Sequence, residues 1–344
     1  MRAVVVQQDK TIKVEQKPIP KLGPQDILVK AIAIGQNPTD WKTAYYRAPP
    51  GVIVGADVVG EVIEIGSEVP EGEVRKGEIR WLYVRSCASQ ENGAFAEFVT
   101  SPWDTTSLVP PNITPQEAAS IPIPFGTAVQ AIHLILGIPQ YPEKSEGDWI
   151  VIWSGASAVG QFAIQLAKLS GLKVATTASP HRWDALRELG ADFLVDYKVR
   201  IAYKDHSSEL SEVPQDPEAV KKLKEITNNT LRFGVDCISE GGTLQKMQEI
   251  FGPEGGKLAA TLFDFRGLLR PEVVTKPALA YTALGFDVDF GTLFFPAGPE
   301  DRALHVKWCK LSTQLFGEGK LKERTFQSNP WHIAGTNALR IIGP

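Results

Sequence analysis

Hydrophobic and polar positions alternate with different periods along the chain. Up to about residue 110 the apolar residues come in short runs, Ala3–Val6, Ile12–Glu15, Ile27–Ile34, Ala56–Ile65 and Ala94–Val99, bounded by Gly, Pro and Asp. These runs are rich in Val and Ile, and Asp57-Val58-Val59-Gly60-Glu61-Val62-Ile63-Glu64 reads as a half-exposed strand. Strands at this spacing, with no helical period between them, predict a small barrel or folded antiparallel sheet.

The texture changes near Asn112. Thr114-Pro115-Gln116-Glu117 has the form of a capping box with proline at the first helical position. Pro122 and Pro124 are expected to break the chain ahead of a helix over Phe125–Leu136, and Tyr141 to Asp148 reads as a polar loop. The continuous apolar run Trp149–Trp153 then suits a parallel strand buried on both faces. After a small-residue loop, Val159, Phe162, Ala163, Leu166 and Ala167 fall on one helical stripe that Gly171 ends. Strands at Lys173–Ala178, Phe193–Val195, Phe233–Ile238 and Lys257–Leu262 alternate with helices near Arg182–Leu189, Glu218–Ile226 and Leu244–Phe251. That rhythm predicts a doubly wound parallel sheet. It fades after about residue 270, where an apolar, aromatic stretch (Thr275–Phe295) precedes a helix at Arg302–Phe316.

The expected organisation is α/β with two domains, a small barrel or folded sheet at the start of the chain and a parallel-sheet unit after it. A length of 344 residues and 43% hydrophobic content support two real cores. A net charge of -4 gives no footprint for nucleic acid or an anionic membrane surface. The N-terminal residues lack the apolar core of a signal peptide, and no apolar run approaches a membrane span. Cys87, Cys237 and Cys309 lie far apart and form no CxxC pair. An intracellular, cytoplasmic protein is the expectation.

The chemistry begins at Trp153-Ser154-Gly155-Ala156-Ser157-Ala158-Val159-Gly160, between a buried strand and an amphipathic helix. A dinucleotide's pyrophosphate needs N–H donors without steric bulk, and a strand–turn–helix junction offers them with the positive end of the helix dipole. Gly155 is expected to make the tight turn and Gly160 to allow close helix–strand packing, although the spacing departs from G-x-G-x-x-G. A close helix–strand contact without a ligand is the alternative. The next strand ends in Thr176-Thr177-Ala178-Ser179-Pro180-His181-Arg182, with hydroxyls and a cation but no acid. An acid there would accept from a ribose 2′-OH and repel a 2′-phosphate; Ser179 can donate to that phosphate and Arg182 can pair with it. NADPH is therefore favoured over NADH, unless Arg182 is only a solvated helix residue.

With this loop, Asn37-Pro38-Thr39-Asp40-Trp41-Lys42 and Phe125-Gly126-Thr127-Ala128 in place, the chain resembles the zinc-independent medium-chain dehydrogenase/reductase superfamily. More narrowly it resembles the quinone-oxidoreductase-like branch that includes the fungal trans-acting enoyl reductases of polyketide synthesis and their toxin-cluster relatives. The tracts Gly160–Lys168 and Ala178–His181 are the most specific. The resemblance implies a GroES-like β-barrel catalytic domain built from both chain ends (1–122 with 269–344), a Rossmann domain between them (123–268), and an active site in the cleft. It implies that Asn37, Asp40, Trp41, Lys42 and Thr43 serve the nicotinamide side, Ala156–Val159 the phosphates, and Ser179, Pro180, His181 and Arg182 the 2′-phosphate. Tyr197 would lie near the adenosine, with a half-buried strand-end tyrosine as the alternative, and Thr261 and Leu262 complete the cofactor set.

The implied reaction is hydride transfer to an activated C=C bond of an enoyl thioester or enone, or to a quinone. A carrier protein or polyketide synthase is a possible partner, and the oligomer a monomer or homodimer. Lys42 and Thr127, with Asn37, are the catalytic candidates: a cation and a hydroxyl for the carbonyl oxygen that gains charge. Lys42 as a surface lysine and Thr127 as a first-turn cap are the alternatives. Tyr45 or Tyr46 would donate the proton, the spacing not deciding which. Pro124, Phe125, Thr282, Leu284 and Phe286, with Phe294 and Phe295, would wall the substrate pocket or simply pack a core. Gly55-Ala56-Asp57 stands where zinc-dependent members carry Gly-His-Glu, and no two histidines are spaced as a metal pair. Two departures remain. Around Lys76-Gly77-Glu78-Ile79-Arg80-Trp81 an expected strand is shifted or partly lost, and beyond Leu321 only a Pro-, Trp- and Asn-bearing tail replaces the usual final helix and strand. A weakened or inactive NADPH-binding sensor or partner protein is the alternative function.

Overall fold

Branched apolar residues at strand period build the first unit of the computed structural model, which describes residues 1–145, 147–197, 217–291 and 293–323. β1 (Arg2–Val6) and β2 (Ile12–Gln16) pair as an antiparallel hairpin. β3 (Asp26–Gly35), β4 (Asp57–Ile65), β5 (Ile79–Tyr83), β6 (Phe98–Pro102) and β7 (Thr106–Leu108) form an antiparallel sheet in the order β6-β3-β4-β5-β7. Register shifts at Leu28/Val29 and Ala31/Ala33 bend the β3–β4 pair. Ile27, Val29, Val58, Val62, Leu82 and Val99 fill its core, each burial contributing about 1.5–3 kcal/mol.

The strand expected to be shifted or lost near residue 79 is intact, and this corrects the sequence reading. β5 pairs with both β4 and β7. Its buried Arg80 is tolerated because every arm of the guanidinium is met: Nε donates to Thr106 Oγ1 (2.8 Å), Nη2 to the Thr106 carbonyl (3.1 Å) and Nη1 to Glu78 Oε2 (2.8 Å). Charge at that position breaks the apolar pattern without breaking the ladder.

α1 (Pro38–Tyr46) follows β3, and Thr114 caps α2 (Pro115–Ala118) through the predicted capping box. α3 (Pro122–Val129) begins earlier than expected. Pro122 and Pro124 do not break the chain ahead of the helix but sit in its first turn, where the missing N–H groups would have no intrahelical acceptor. Thr127 therefore stands beyond the first turn and does not cap the N-terminus. The helix continues as a π-helical turn over Gln130–Ile135.

The second unit is the predicted parallel sheet. β8 (Trp149–Trp153), α4 (Ala158–Leu169), β9 (Lys173–Thr177), α5 (Trp183–Glu188), β10 (Phe193–Val195), α6 (Pro217–Ile226), β11 (Phe233–Asp236), α7 (Thr243–Ile250), β12 (Gly256–Ala260) and β13 (Val273–Pro277) follow in turn. The strand order β10-β9-β8-β11-β12-β13, all parallel, reverses direction of growth between β8 and β11. That is the 3-2-1-4-5-6 order of dinucleotide-binding sheets, whose ligand site lies at the strands' carboxyl ends beside the reversal. β13 carries the sheet past residue 268 to Pro277. Compactness divides the chain into Met1–Gly126 with the described residues from Ala280 on, and Thr127–Leu279.

Back in the first unit, β14 (Val288–Asp289) and β15 (Phe294–Phe295) pair, and α8 (Pro299–Gly317) follows. α8 is fastened to β7 by Thr313 Oγ1 donating to the Leu108 carbonyl (2.9 Å), and Ser312 to Ser107 (3.2 Å). The tail from Ser328, with Ile341-Ile342, lies outside the described residues. Among the described residues no helix is long and apolar enough to cross a membrane.

Candidate active site

The loop after β8 is shaped by contacts its sequence only partly announces. Ser154, not Gly155, adopts the left-handed backbone conformation (φ 65°), so the turn expected of the glycine is made by its neighbour. β9 holds the loop: Ser154 N donates to Thr177 Oγ1 (2.8 Å) and Gly155 N to the Thr177 carbonyl (3.0 Å). Gly155 is required for room, since a Cβ there would lie 2.2 Å from Thr176 Oγ1. At Gly160 a Cβ would meet the Ser154 carbonyl oxygen at 2.4 Å and Gly155 Cα at 2.7 Å. Ser157 caps α4 by accepting from Gly160 N (3.0 Å). The amides of Ala158 and Val159 keep no backbone partner among the described residues, and both positions are only half-buried. Two open N–H groups at the start of a twelve-residue helix make an anion cradle, and the two glycines let the loop pack closely enough on its neighbours to form it.

The tip of β9 presents fewer groups than its sequence suggests. Thr176 and Thr177 are fully buried, the first donating to the Ile152 carbonyl (2.7 Å) and the second holding Ser154. Ser179, His181 and Arg182 remain at the surface of a short 3-10 turn over Pro180–Arg182. No carboxylate interrupts this turn. Tyr197 packs half-buried against the sheet core. On the other side of the reversal, Asp236 Oδ1 accepts from the amides of Ile238 and Ser239 (2.9 Å each), and Ser239 Oγ accepts from Thr261 N (2.9 Å). This buried turn fixes Thr261, with Leu262 next to it, at the carboxyl end of β12. Burial raises the Asp236 carboxyl and pushes the Cys237 thiol well up, so Cys237 stays a neutral thiol beside Ser157. The phosphate loop, the β9 tip, Tyr197 and Thr261 thus share the carboxyl edge of one sheet.

In the first unit, Asn37 is the hub of the turn from β3 into α1. Its backbone N donates to Asp40 Oδ2 (2.8 Å) and its Nδ2 to Asp57 Oδ2 (2.8 Å). Asp40, read from sequence as a cofactor contact, is buried under α1 as its N-terminal cap partner, and burial raises its carboxyl to about 7. Thr39 bonds the Tyr281 phenol (3.2 Å). Lys42 and Thr43 are half-buried on α1, and the Lys42 ammonium lies 5.8 Å from the ring centroid of the exposed Trp41. Tyr45 and Tyr46 meet edge to face at 4.9 Å on the exposed side of the helix.

The expected pocket residues separate. Phe125 packs its ring on Trp308 (5.9 Å) and Phe316 (5.8 Å), and Pro124 is buried beside it. Thr282 is buried and donates to Asp301. Leu284 and Phe286 do come together, lining a cavity of about 220 Å³ with Tyr83, Val84 and Arg85. Phe294 is exposed on the β14–β15 hairpin.

Sequence reasoning missed Asp57 and the capping role of Asp40, although Asn-Pro-Thr-Asp has the spacing of a capping box. It also missed the Asp236–Ser239–Thr261 turn, for which only the Asp-x-x-Ser spacing gave a signal.

Two family profiles match the chain: "Zinc-binding dehydrogenase" over residues 158–261 and "Alcohol dehydrogenase GroES-like domain" over residues 23–111. The trans-enoyl reductase ACTTS2 of Alternaria alternata is 34% identical over 324 residues, covering 93% of this chain and 88% of that protein. Among solved structures, an alcohol dehydrogenase superfamily protein from Novosphingobium aromaticivorans aligns with a TM-score of 0.71 at 21% identity, over 93% of this chain and 88% of its own. Mycobacterial Rv1454c, solved with NADPH, aligns at 0.66 and 21% identity, over 94% and 90%. The zinc named by the first profile does not fit the residues present. Asp57, in the segment where a ligand would be sought, has both oxygens engaged by Asn37 and Ile123, and no group of three or more His, Cys, Asp or Glu among the described residues is arranged to hold a metal. With a GroES-like unit, a Rossmann sheet and this sequence likeness together, the chain belongs to the medium-chain dehydrogenase/reductase superfamily of oxidoreductases.

Proposed function

We propose that this protein is an NADPH-dependent reductase that delivers hydride to an activated C=C bond, with an enoyl thioester or enone as substrate class and quinones as a further acceptor. The observation that carries the cofactor half is the acid-free tip of β9 beside an open phosphate cradle. Ala158 and Val159 offer two N–H donors to the pyrophosphate, and Gly155 and Gly160 let the loop pack tightly between β9 and α4. Ser179, His181 and Arg182 would meet a 2′-phosphate where an NAD site carries a carboxylate. Likeness to named trans-enoyl reductases supports the substrate half.

When bound, the cofactor's nicotinamide supplies the hydride for the β-carbon. What remains for the protein is the charge that then gathers on the carbonyl oxygen. In this reading Lys42 and Thr127 donate to that oxygen, and Asn37 holds the α1 turn in place. Tyr45 and Tyr46, exposed on α1, are the proposed proton source for the α-carbon. A carrier protein or polyketide synthase presenting the acyl chain fits the relatives' printed activity, and a cytoplasmic monomer or homodimer completes the reading.

The test is a titration of NADPH and NADH against the full chain, followed by NADPH oxidation over enones, quinones and enoyl thioesters. The reading expects saturable NADPH binding, at least about tenfold tighter than NADH, and turnover of at least one C=C substrate. Preference for NADH would sink the cofactor assignment. Binding without any turnover would sink the reductase.

A further inference from the structure

Asp57 opens β4 with only 1% of its surface exposed, and neither the cofactor site nor the proposed donors make use of it. Its two oxygens point to two different helices. Oδ2 accepts from the side chain of Asn37 (2.8 Å), the residue that caps α1. Oδ1 accepts from the backbone N–H of Ile123 (2.9 Å), in the first turn of α3. First-turn amides have no intrahelical acceptor, so a buried carboxylate from another strand does the work of an N-cap there, in the favourable direction of the helix dipole. Gly35 admits this close approach of β3, β4 and the end of α2: a Cβ there would lie 3.0 Å from Asp57 Cβ and 2.1 Å from the Ala119 carbonyl oxygen.

What the two helices carry gives the arrangement its meaning. Lys42 lies five positions along the chain from Asn37, on α1. Thr127 is four positions after Ile123, one turn further along the same face of α3. A rotation or slide of either helix start would move the corresponding donor. We propose that Asp57 is the positioning residue for the oxyanion donors, fixing the start of the Lys42 helix and the start of the Thr127 helix through one buried carboxylate. The role assigned to Lys42 and Thr127 rests on the reductase reading above; the hydrogen-bonded clamp does not.

The test uses the full chain with specific labels on the Lys42 ε-carbon and the Thr127 methyl, read by NMR, beside kcat and KM for NADPH and for a reducible enone. Asp57→Asn keeps the shape but cannot keep every contact: its amide nitrogen faces either the Ile123 N–H, which breaks that anchor, or Asn37, whose own amide must then turn over and withdraw its oxygen from the first turn of α1. The expected result is movement of at least one of the two labelled signals and a fall in kcat of about tenfold or more, with KM for NADPH within about twofold of the parent. Asn37→Ala releases only the α1 arm, so the Lys42 signal should move and the Thr127 signal stay. The exchanged pair Asn37→Asp with Asp57→Asn restores one hydrogen bond of opposite sense, and should recover most of the lost kcat.

Unmoved signals in Asp57→Asn would overturn the clamp. So would an exchanged pair that regains the parent melting temperature but not the signals or the rate. Should Asp57→Asn not fold, Asn37→Ala and the exchanged pair carry the decision. A parent chain that turns over nothing would sink the reductase reading, and the labelled signals would still decide the clamp.

Discussion

At the scale of single residues, the cofactor loop depends on the absence of atoms. A methyl at Gly160 would meet backbone on two sides, at 2.4 and 2.7 Å, where no side chain can give way. Gly160→Ala should therefore weaken NADPH binding by about tenfold or more, some 1.4 kcal/mol, as read by nucleotide fluorescence titration. Unchanged affinity with an unchanged melting temperature would show that the nucleotide does not use this loop. The β9 tip makes a charge argument. Losing a charge-assisted pair costs about 1.5–3 kcal/mol, so Arg182→Ala should cut NADPH affinity roughly ten- to hundredfold and leave NADH affinity nearly unchanged. Equal losses for both nucleotides would remove Arg182 from 2′-phosphate recognition.

Two buried titrating groups in the first unit oppose one another. Burial raises Asp40 from 3.8 to about 7, so between those values the folded chain holds a proton that the unfolded chain releases, and stability falls as pH rises. Burial lowers His305 from 6.5 to about 4, so in that window the unfolded chain binds a proton that the folded chain refuses, and stability rises with pH. The two slopes offset one another between about pH 4 and 6.5. Asp40→Asn should expose the histidine's slope: relative to the parent, stability in chemical denaturation should climb more steeply with pH by about one proton's worth in that window. Parallel pH profiles for variant and parent would contradict the assignment of the buried proton to Asp40.

At the scale of elements, the parallel sheet was the most legible part of the chain, because the apolar run of β8 and the short strands after it alternate regularly with amphipathic helices. Boundaries were less so wherever local signals met tertiary partners. Pro122 and Pro124 read as breakers, yet the first turn of α3 needs no donors from them. Arg80 read as a fault in β5, yet the strand survives because Thr106 and Glu78 satisfy it. Removing the guanidinium strands those partners, and Arg80→Ala should cost about 2–4 kcal/mol in denaturant unfolding. A change below about 0.5 kcal/mol would show that the strand does not rely on this network. The site was half-legible for a related reason. Glycines and small residues that admit a ligand stand out in sequence, whereas Asp57 and the Asp236–Ser239–Thr261 turn act through contacts up to 66 residues apart, which no local period records.

For the whole molecule, cofactor binding and stability are linked. NADPH at a hundred times its dissociation constant should stabilise the folded chain by about 2.7 kcal/mol, and NADH at the same concentration by clearly less. A thermal shift equal for both nucleotides would count against the acid-free tip of β9 as the discriminating element. In the proposed reaction hydride passes from NADPH to an activated C=C bond. Its most direct test follows deuterium from the C4 position of NADPH, labelled on each face in separate reactions, into the product of an enoyl thioester or enone. Label is expected from one face only, located on the carbon β to the carbonyl, with solvent hydrogen on the α-carbon. Saturated product without label, or no NADPH consumed with any substrate of the class, would contradict it.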